Sequence, residues 1–177
     1  NCTSLAEYLQ KFDLPISCIQ TENGLRKSAK DFLLGLRKDN VKYVEVRFAP
    51  FFSCGEGLSY RQVMESVLDG LKEASKECGI FYQVIACNMR HLDEETNLRM
   101  MRECREFLGD GLCAIDLAGD EAGMPNALFG NLFAEAKKLD YPYTIHARHL
   151  EHPFGPSNKV LCPSLHRWDG RFQLQER

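Results

Sequence analysis

Short apolar runs alternate with longer amphipathic segments along this chain, and this alternation constrains its fold more than any other feature. The predicted strands lie at 41–48, 81–87, 112–117 and 143–146. The predicted helices lie at 4–12, 22–38, 59–79, 94–107 and 126–139. Strands that alternate with helices are typical of a parallel sheet with right-handed crossovers, and near-continuous apolar strands indicate burial on both faces. The expected class is therefore α/β, as half of a (β/α) barrel or a small open sheet.

Capping signals mark where several of these helices begin and end. Ser4 with Glu7, and Ser59 with Gln62, have the spacing of a capping box. Asp93 can accept hydrogen bonds from the first turn of the helix that follows it. Gly79 is placed to end the helix that starts after Ser59.

Size and composition exclude several classes of protein. The 177 residues suffice for one domain with a core, but a complete barrel typically needs about 250. A net charge of −3 gives no sign of nucleic-acid binding, and no apolar run of about 18 residues predicts a membrane span. The cysteines form no Cys-x-x-Cys pair, which favours reduced thiols and a cytoplasmic protein. Because the polar start at Asn1 resembles no export signal, we expect the chain to begin inside a longer gene product.

Polar side chains follow the predicted strands, where a site is expected. They lie at 47–50, 89–91, 116–121 and 146. The carboxyl ends of parallel strands form the ligand-binding edge of both barrels and open α/β sheets. The sequence therefore predicts one site at this edge, whichever of the two folds is adopted.

Glu45 and Arg47 lie two residues apart and share one face of their strand. A structural ion-pair network is the favoured interpretation, and orientation of the loop at Ala49 and Pro50 is the alternative. Gly119 lies among three carboxylates after another strand, where its backbone could approach a ligand closely. The alternative for that segment is a solvated turn that caps the next helix.

The histidines near the last strand allow more than one interpretation. A lone histidine such as His146 is more often a core or loop residue than a metal ligand. His146, His149 and His152 are spaced by three, but Pro153 argues against a helix that presents them together. His149-Leu-Glu matches the His-x-Glu of cytidine-deaminase-type zinc enzymes. The Pro-Cys-x-x-Cys that such enzymes need is absent after it, so we interpret the match as chance.

Several stretches taken together resemble the adenosine deaminase family of the metal-dependent amidohydrolase superfamily. They are Leu-Ala-Glu-Tyr-Leu-Gln-Lys-Phe-Asp at 5–13, Tyr-Val-Glu-Val-Arg-Phe-Ala-Pro at 43–50, Met-Arg-His at 89–91, Ala-Ile-Asp-Leu-Ala-Gly-Asp-Glu at 114–121, and Thr-Ile-His-Ala at 144–147. The resemblance implies a partial TIM-type (β/α)8 barrel with parallel strands inside and helices outside. It also implies zinc-dependent conversion of adenosine to inosine and ammonia in purine salvage.

The same resemblance implies roles for individual residues. His146 would be a zinc ligand, and Gly119 would contact the purine nucleoside through its backbone. Leu9, Phe12 and Met89 would line an apolar pocket. Asp116 would be a buried support residue at the edge of the site, and Glu45 and Arg47 are likewise assigned to structural support. Zinc lowers the pKa of a bound water, so that hydroxide can attack the purine carbon that bears the amino group.

The chain departs from the family pattern in ways that bear on its activity. No His-x-His pair occurs, and His149 stands where the family has its catalytic Glu, so no catalytic residue is assigned. Residues 1–147 are expected to cover about barrel strands 2–5. Residues 148–177 match nothing and are predicted to form a loosely ordered tail, from a shifted reading frame or a misjoined segment. This fragment alone is predicted to be inactive.

The sequence leaves two other interpretations open. The first is a non-catalytic purine-nucleoside-binding or interaction domain, without a role for nucleic acid or membrane. The second is an unrelated open α/β domain in which the matching stretches are coincidental.

Overall fold

The chain folds around one sheet with strand order β1-β2-β3-β4-β5. The computed structural model describes residues 11–121, 123–147 and 159–161. The strands are β1 (Tyr43–Phe48), β2 (Phe81–Met89), β3 (Leu112–Ala118), β4 (Tyr143–Ala147) and β5 (Lys159–Leu161). The first four are parallel, as the sequence predicts, whereas β5 is antiparallel to β4. β5 was not predicted, and it falls within 148–177, of which the rest lies outside the described residues.

The helices from Glu22 onward follow the predicted order, whereas the short helix at Asp13–Ser17 was not predicted and most of the helix predicted at 4–12 lies outside the described residues. They are α1 (Asp13–Ser17), α2 (Glu22–Gly35), α3 (Tyr60–Cys78), α4 (Glu94–Cys104) and α5 (Gly130–Lys138). Short 3₁₀ turns at Leu36–Asp39, Pro50–Ser53, Arg105–Phe107 and Asn126–Phe129 accompany them. Three predicted helices are therefore each divided into an α-helix and a 3₁₀ turn. No helix in the described ranges is long and apolar enough to cross a membrane.

The capping residues explain why α3 and α4 begin where they do. Ser59 and Gln62 form both hydrogen bonds of a capping box at the start of α3, and Gly79 ends that helix with φ of 72°. Asp93 accepts a hydrogen bond of 2.8 Å from the backbone N–H of Thr96 at the start of α4. These predictions are confirmed, whereas the proposed box of Ser4 and Glu7 lies outside the described residues.

One face of the sheet packs against the helices. The sheet contributes buried Val84, Ala86, Ile115 and Leu117 to the main hydrophobic core. The helices contribute Leu33, Val63, Leu71, Met101 and Leu132, each at most 1% exposed. On the opposite face, the strands place a second group of buried side chains, namely Ile85, Cys87, Ala114 and Asp116. In a parallel sheet both faces are normally covered, and the strands are apolar on both.

A bulge in β3 sets the register of this second face. Val84 lies opposite Leu112, but the next residue, Ile85, lies opposite Ala114. Cys113 is therefore an extra residue in β3, and its thiol contacts the carbonyl oxygen of Val84 at 3.3 Å.

Candidate functional site

Asp116 ties the four parallel strands together near their carboxyl ends. Its side chain is fully buried and accepts hydrogen bonds from Arg47 Nε of β1 at 2.5 Å and from Thr144 Oγ1 of β4 at 2.8 Å. Its backbone carbonyl accepts a hydrogen bond of 3.3 Å from Asn88 Nδ2 of β2. The ion-pair partner of Arg47 is thus Asp116, while Glu45 accepts a hydrogen bond from the hydroxyl of Tyr43 on the exposed part of β1.

Gly119, the first residue after β3, has a conformation that favours glycine. Its φ is +115°, in the region that residues with a side chain rarely adopt. A Cβ at this position would lie 3.3 Å from Arg90 Cβ and 3.5 Å from the Arg90 backbone nitrogen. The main chain at Gly119 therefore lies directly against Arg90, as only a residue without a side chain allows.

Arg90, directly after β2, is completely buried. Its guanidinium donates from Nη1 to the carbonyl oxygen of Met124 at 2.7 Å and from Nη2 to Asn126 Oδ1 at 2.5 Å. It also lies 5.6 Å above the ring of Phe129. Asn126 in turn donates a hydrogen bond of 3.1 Å to Glu121 Oε1. Arg90 thereby connects the end of β2 to the loop that follows Gly119.

Burial and nearby carboxylates act in opposite directions on Arg90. Burial lowers the pKa of its guanidinium, and the negative charges of Glu121, Asp116 and Asp120 oppose that shift. Arg90 lies in the predicted polar segment at 89–91, but the sequence predicts no role for this residue. A cation at the end of a buried strand, with three carboxylates after the next strand, is the signal that could have identified it.

The other predicted residues are only partly brought to this edge. Met89 is the last residue of β2 and lies opposite Ala118, the neighbour of Gly119. Phe12 is the residue before α1 and is 43% exposed, and α1 itself lies against the 3₁₀ turn after β1. His146 lies in β4, but the structure does not describe its side chain. Leu9 and His149 are outside the described residues.

The described donors do not fit a zinc ion. Within residues 11–121, 123–147 and 159–161, no three His, Cys, Asp or Glu side chains come together as a metal site. The two carboxylate oxygens of Asp116 are occupied by Arg47 and Thr144. The six described cysteines, Cys18, Cys54, Cys78, Cys87, Cys104 and Cys113, are free thiols.

Solved structures identify the fold of this chain. The Arabidopsis protein ADAL complexed with IMP matches with a TM-score of 0.72 at 24% identity, over 81% of this chain and 44% of that one. Adenine deaminase from Arthrobacter aurescens matches with a TM-score of 0.70 at 20% identity, over 82% of this chain and 44% of that one. An amidohydrolase from Burkhoderia ambifaria with bound Zn matches with a TM-score of 0.68 at 21% identity, over 72% and 35%. The four parallel strands form part of a (β/α) barrel fold.

Sequence comparison identifies the family to which this chain belongs. The model of the family described as adenosine deaminase matches residues 1–153. Adenosine deaminase of Clostridium botulinum strain 657 is 39% identical over 147 residues, which are 83% of this chain and 44% of the relative. That of Enterococcus faecalis is 34% identical over 146 residues, or 82% and 43%. The chain belongs to the adenosine deaminase family, and it spans less than half the length of these curated relatives.

Proposed function

We propose that this chain supplies part of a cytoplasmic, zinc-dependent adenosine deaminase that converts adenosine to inosine and ammonia in purine salvage. One observation carries the proposal. At the end of β3, the buried Asp116 and the positive-φ residue Gly119 lie beside the end of β2. Family membership supports the same reaction. A purine ligand is further supported by the structural relative that was solved with IMP.

Each proposed residue has a physical task at this edge. Gly119 presents its backbone to the purine, because a residue without a side chain allows a ligand to approach the main chain closely. Met89, Leu9 and Phe12 form apolar walls that exclude water from the nucleoside. Asp116 holds Arg47 and Thr144, so the strand ends keep a fixed spacing, and Glu45 lies two residues before Arg47 in β1.

The zinc site is proposed to be incomplete in this chain alone. His146 is the proposed ligand, and the neighbouring amidohydrolase with bound Zn supports a metal in this class of barrel. A catalytic zinc site typically takes three protein ligands, and the described residues do not bring three donors together. His149 also stands at the position of the family's catalytic Glu. We therefore expect the chain alone to release no ammonia.

Two proteins test this proposal. The first is the 177-residue chain, assayed for ammonia release from adenosine with zinc supplied and bound metal measured. The second is the Clostridium botulinum adenosine deaminase in which residues 11–147 of this chain replace the matching segment. We expect no activity from the chain and measurable deamination by the hybrid. A hybrid that folds but deaminates no adenosine would contradict the proposal.

Two substitutions in the hybrid test the metal ligand. We expect His146→Ala to remove both bound zinc and activity. Asn131→Ala, on the exposed surface of α5, should change neither. Full zinc content in the His146→Ala hybrid would exclude His146 as a ligand.

The non-catalytic alternative is tested with the chain alone. Equilibrium binding of a non-hydrolysable purine nucleoside is measured without zinc. Saturable binding by an inactive chain would favour a nucleoside-binding domain, and absence of binding would exclude that function.

A further inference from the structure

The main chain of Met89 is turned toward β1. Alternate residues of a parallel strand direct their N–H and C=O groups to opposite neighbours. The N–H of Phe81 donates to the carbonyl of Lys42, just before β1, at 3.0 Å. The N–H of Arg90 donates to the carbonyl of Ala118 in β3 at 2.9 Å. Odd-numbered residues of β2, including Met89, therefore face β1, and even-numbered residues face β3.

β1 ends before it reaches Met89. Its last residue, Phe48, lies opposite Ala86. β2 continues to Met89, so the register of β1 provides no partner at that point. Because a buried backbone donor and acceptor need partners, the end of β2 requires another source of hydrogen bonds.

Asn97, on α4, provides these hydrogen bonds through its side-chain amide. Its Oδ1 accepts from the N–H of Met89 at 2.9 Å, and its Nδ2 donates to the carbonyl of Met89 at 3.0 Å. Nδ2 also lies 3.4 Å from the carbonyl of Asp93, and Asn97 is only 2% exposed. One acceptor and one donor are what two flanking residues of a neighbouring parallel strand would offer to Met89, so the amide takes the place of a strand.

We propose that Asn97 is a positioning residue for the purine pocket. It fixes the main chain of Met89, a proposed pocket wall, and with it the start of Arg90, against which Gly119 packs. This inference rests on the proposed function, because its effect on a reaction requires that the pocket bind a nucleoside.

The structural part is tested in the 177-residue chain with Asn97→Asp. This variant keeps an acceptor for Met89 N–H, but it places a carboxylate against the carbonyls of Met89 and Asp93. We expect hydrogen exchange at the Met89 amide to accelerate about tenfold or more, since a buried hydrogen-bonding pair is broken. Asn23→Asp makes the same chemical change on the exposed surface of α2 and should leave this exchange unchanged.

Asn97→Ala is the second variant, because it removes both hydrogen bonds to Met89 without adding a charge. It can be measured if the Asn97→Asp variant does not fold. Slow exchange at Met89 in either folded variant would overturn the inference. Loss of folding in both would also overturn it, because Asn97 would then be a residue of global stability rather than a local support.

The functional part is tested in the Clostridium botulinum hybrid. We expect the Asn97 variants to raise KM for adenosine roughly tenfold while kcat changes less than about twofold, because a pocket wall is displaced but no reacting group is removed. Faster exchange with unchanged KM would overturn the pocket role. If the hybrid with Asn97 intact is inactive, the proposed function fails, and the exchange experiment alone decides whether Asn97 holds β2.

Discussion

At the scale of single residues, Gly119 is the position in the site where a side chain is least tolerated. Gly119→Ala should lower the free energy of unfolding by about 1–3 kcal/mol, because φ of +115° is unfavourable for alanine and its Cβ would press on Arg90. Gly130→Ala is the matched control, with φ of −56° and open space around the added Cβ. Urea denaturation of both variants measures the difference. Equal stability of the two would contradict the strained conformation assigned to Gly119.

Asp116 and Arg47 form a second residue-scale prediction. Asp116→Asn should lower the free energy of unfolding by about 1–3 kcal/mol, a value limited by solvent screening because the Arg47 side chain is 35% exposed. In a double-mutant cycle, Arg47→Met should cost much less when Asn already occupies position 116. Strictly additive effects would show that the pair does not interact.

Arg61→Met, which removes an exposed pair with Glu106, should cost only about 0–1 kcal/mol.

At the scale of elements, the start of α3 depends on its capping box. Ser59→Ala should destabilise the protein by about 1 kcal/mol, because the backbone N–H of Gln62 loses its acceptor. Ser28→Ala makes the same change at an exposed interior position of α2 and should be neutral or slightly stabilising. Urea midpoints provide the measurement. A Ser59→Ala midpoint equal to that of the parent chain would show that the cap adds nothing to stability.

At the scale of the whole molecule, the raised pKa values of buried cysteine thiols and of one buried tyrosine predict that the protein loses stability at alkaline pH. Burial raises the pKa of Cys87 and Cys104 from 9.0 to about 12 and that of Cys113 to about 11. Burial also raises the pKa of Tyr141, whose hydroxyl donates to the carbonyl of Met101. The unfolded chain then loses these protons at lower pH than the folded chain. Stability is therefore fully present below pH 9 and is lost as pH rises toward about 12.

Urea midpoints at pH 8 and pH 10.5 test this expectation, and the midpoint should be lower at the higher pH. The Cys87→Ala, Cys104→Ala double variant should show a smaller decrease, because two of the raised groups are removed. An unchanged decrease in that variant would place the alkaline sensitivity elsewhere.

Local sequence patterns predict most of the elements but few of the contacts at the site. The apolar runs and caps identify the four parallel strands and the main helices, because both depend on neighbours in sequence. The pairing of Arg47 with Asp116 joins residues 69 apart, and the pairing of Asn97 with Met89 depends on where β1 happens to end. Neither pairing produces a pattern among residues that are neighbours in sequence. The 3₁₀ turn at Leu36–Asp39 was also missed, because its residues continue the same apolar periodicity as α2.

The extra residue at Cys113 determines which face of β3 carries the side chain of Asp116. Because side chains alternate along a strand, pairing Cys113 with Ile85 in a regular ladder would place Asp116 opposite Asn88 rather than Cys87 and turn its carboxylate toward the helices. Arg47 and Thr144 would then lose their shared acceptor. Deletion of Cys113 should therefore preserve the position of Asp116, because it removes only the bulge, whereas one residue inserted between Cys113 and Asp116 should move the carboxylate to the opposite face of the strand.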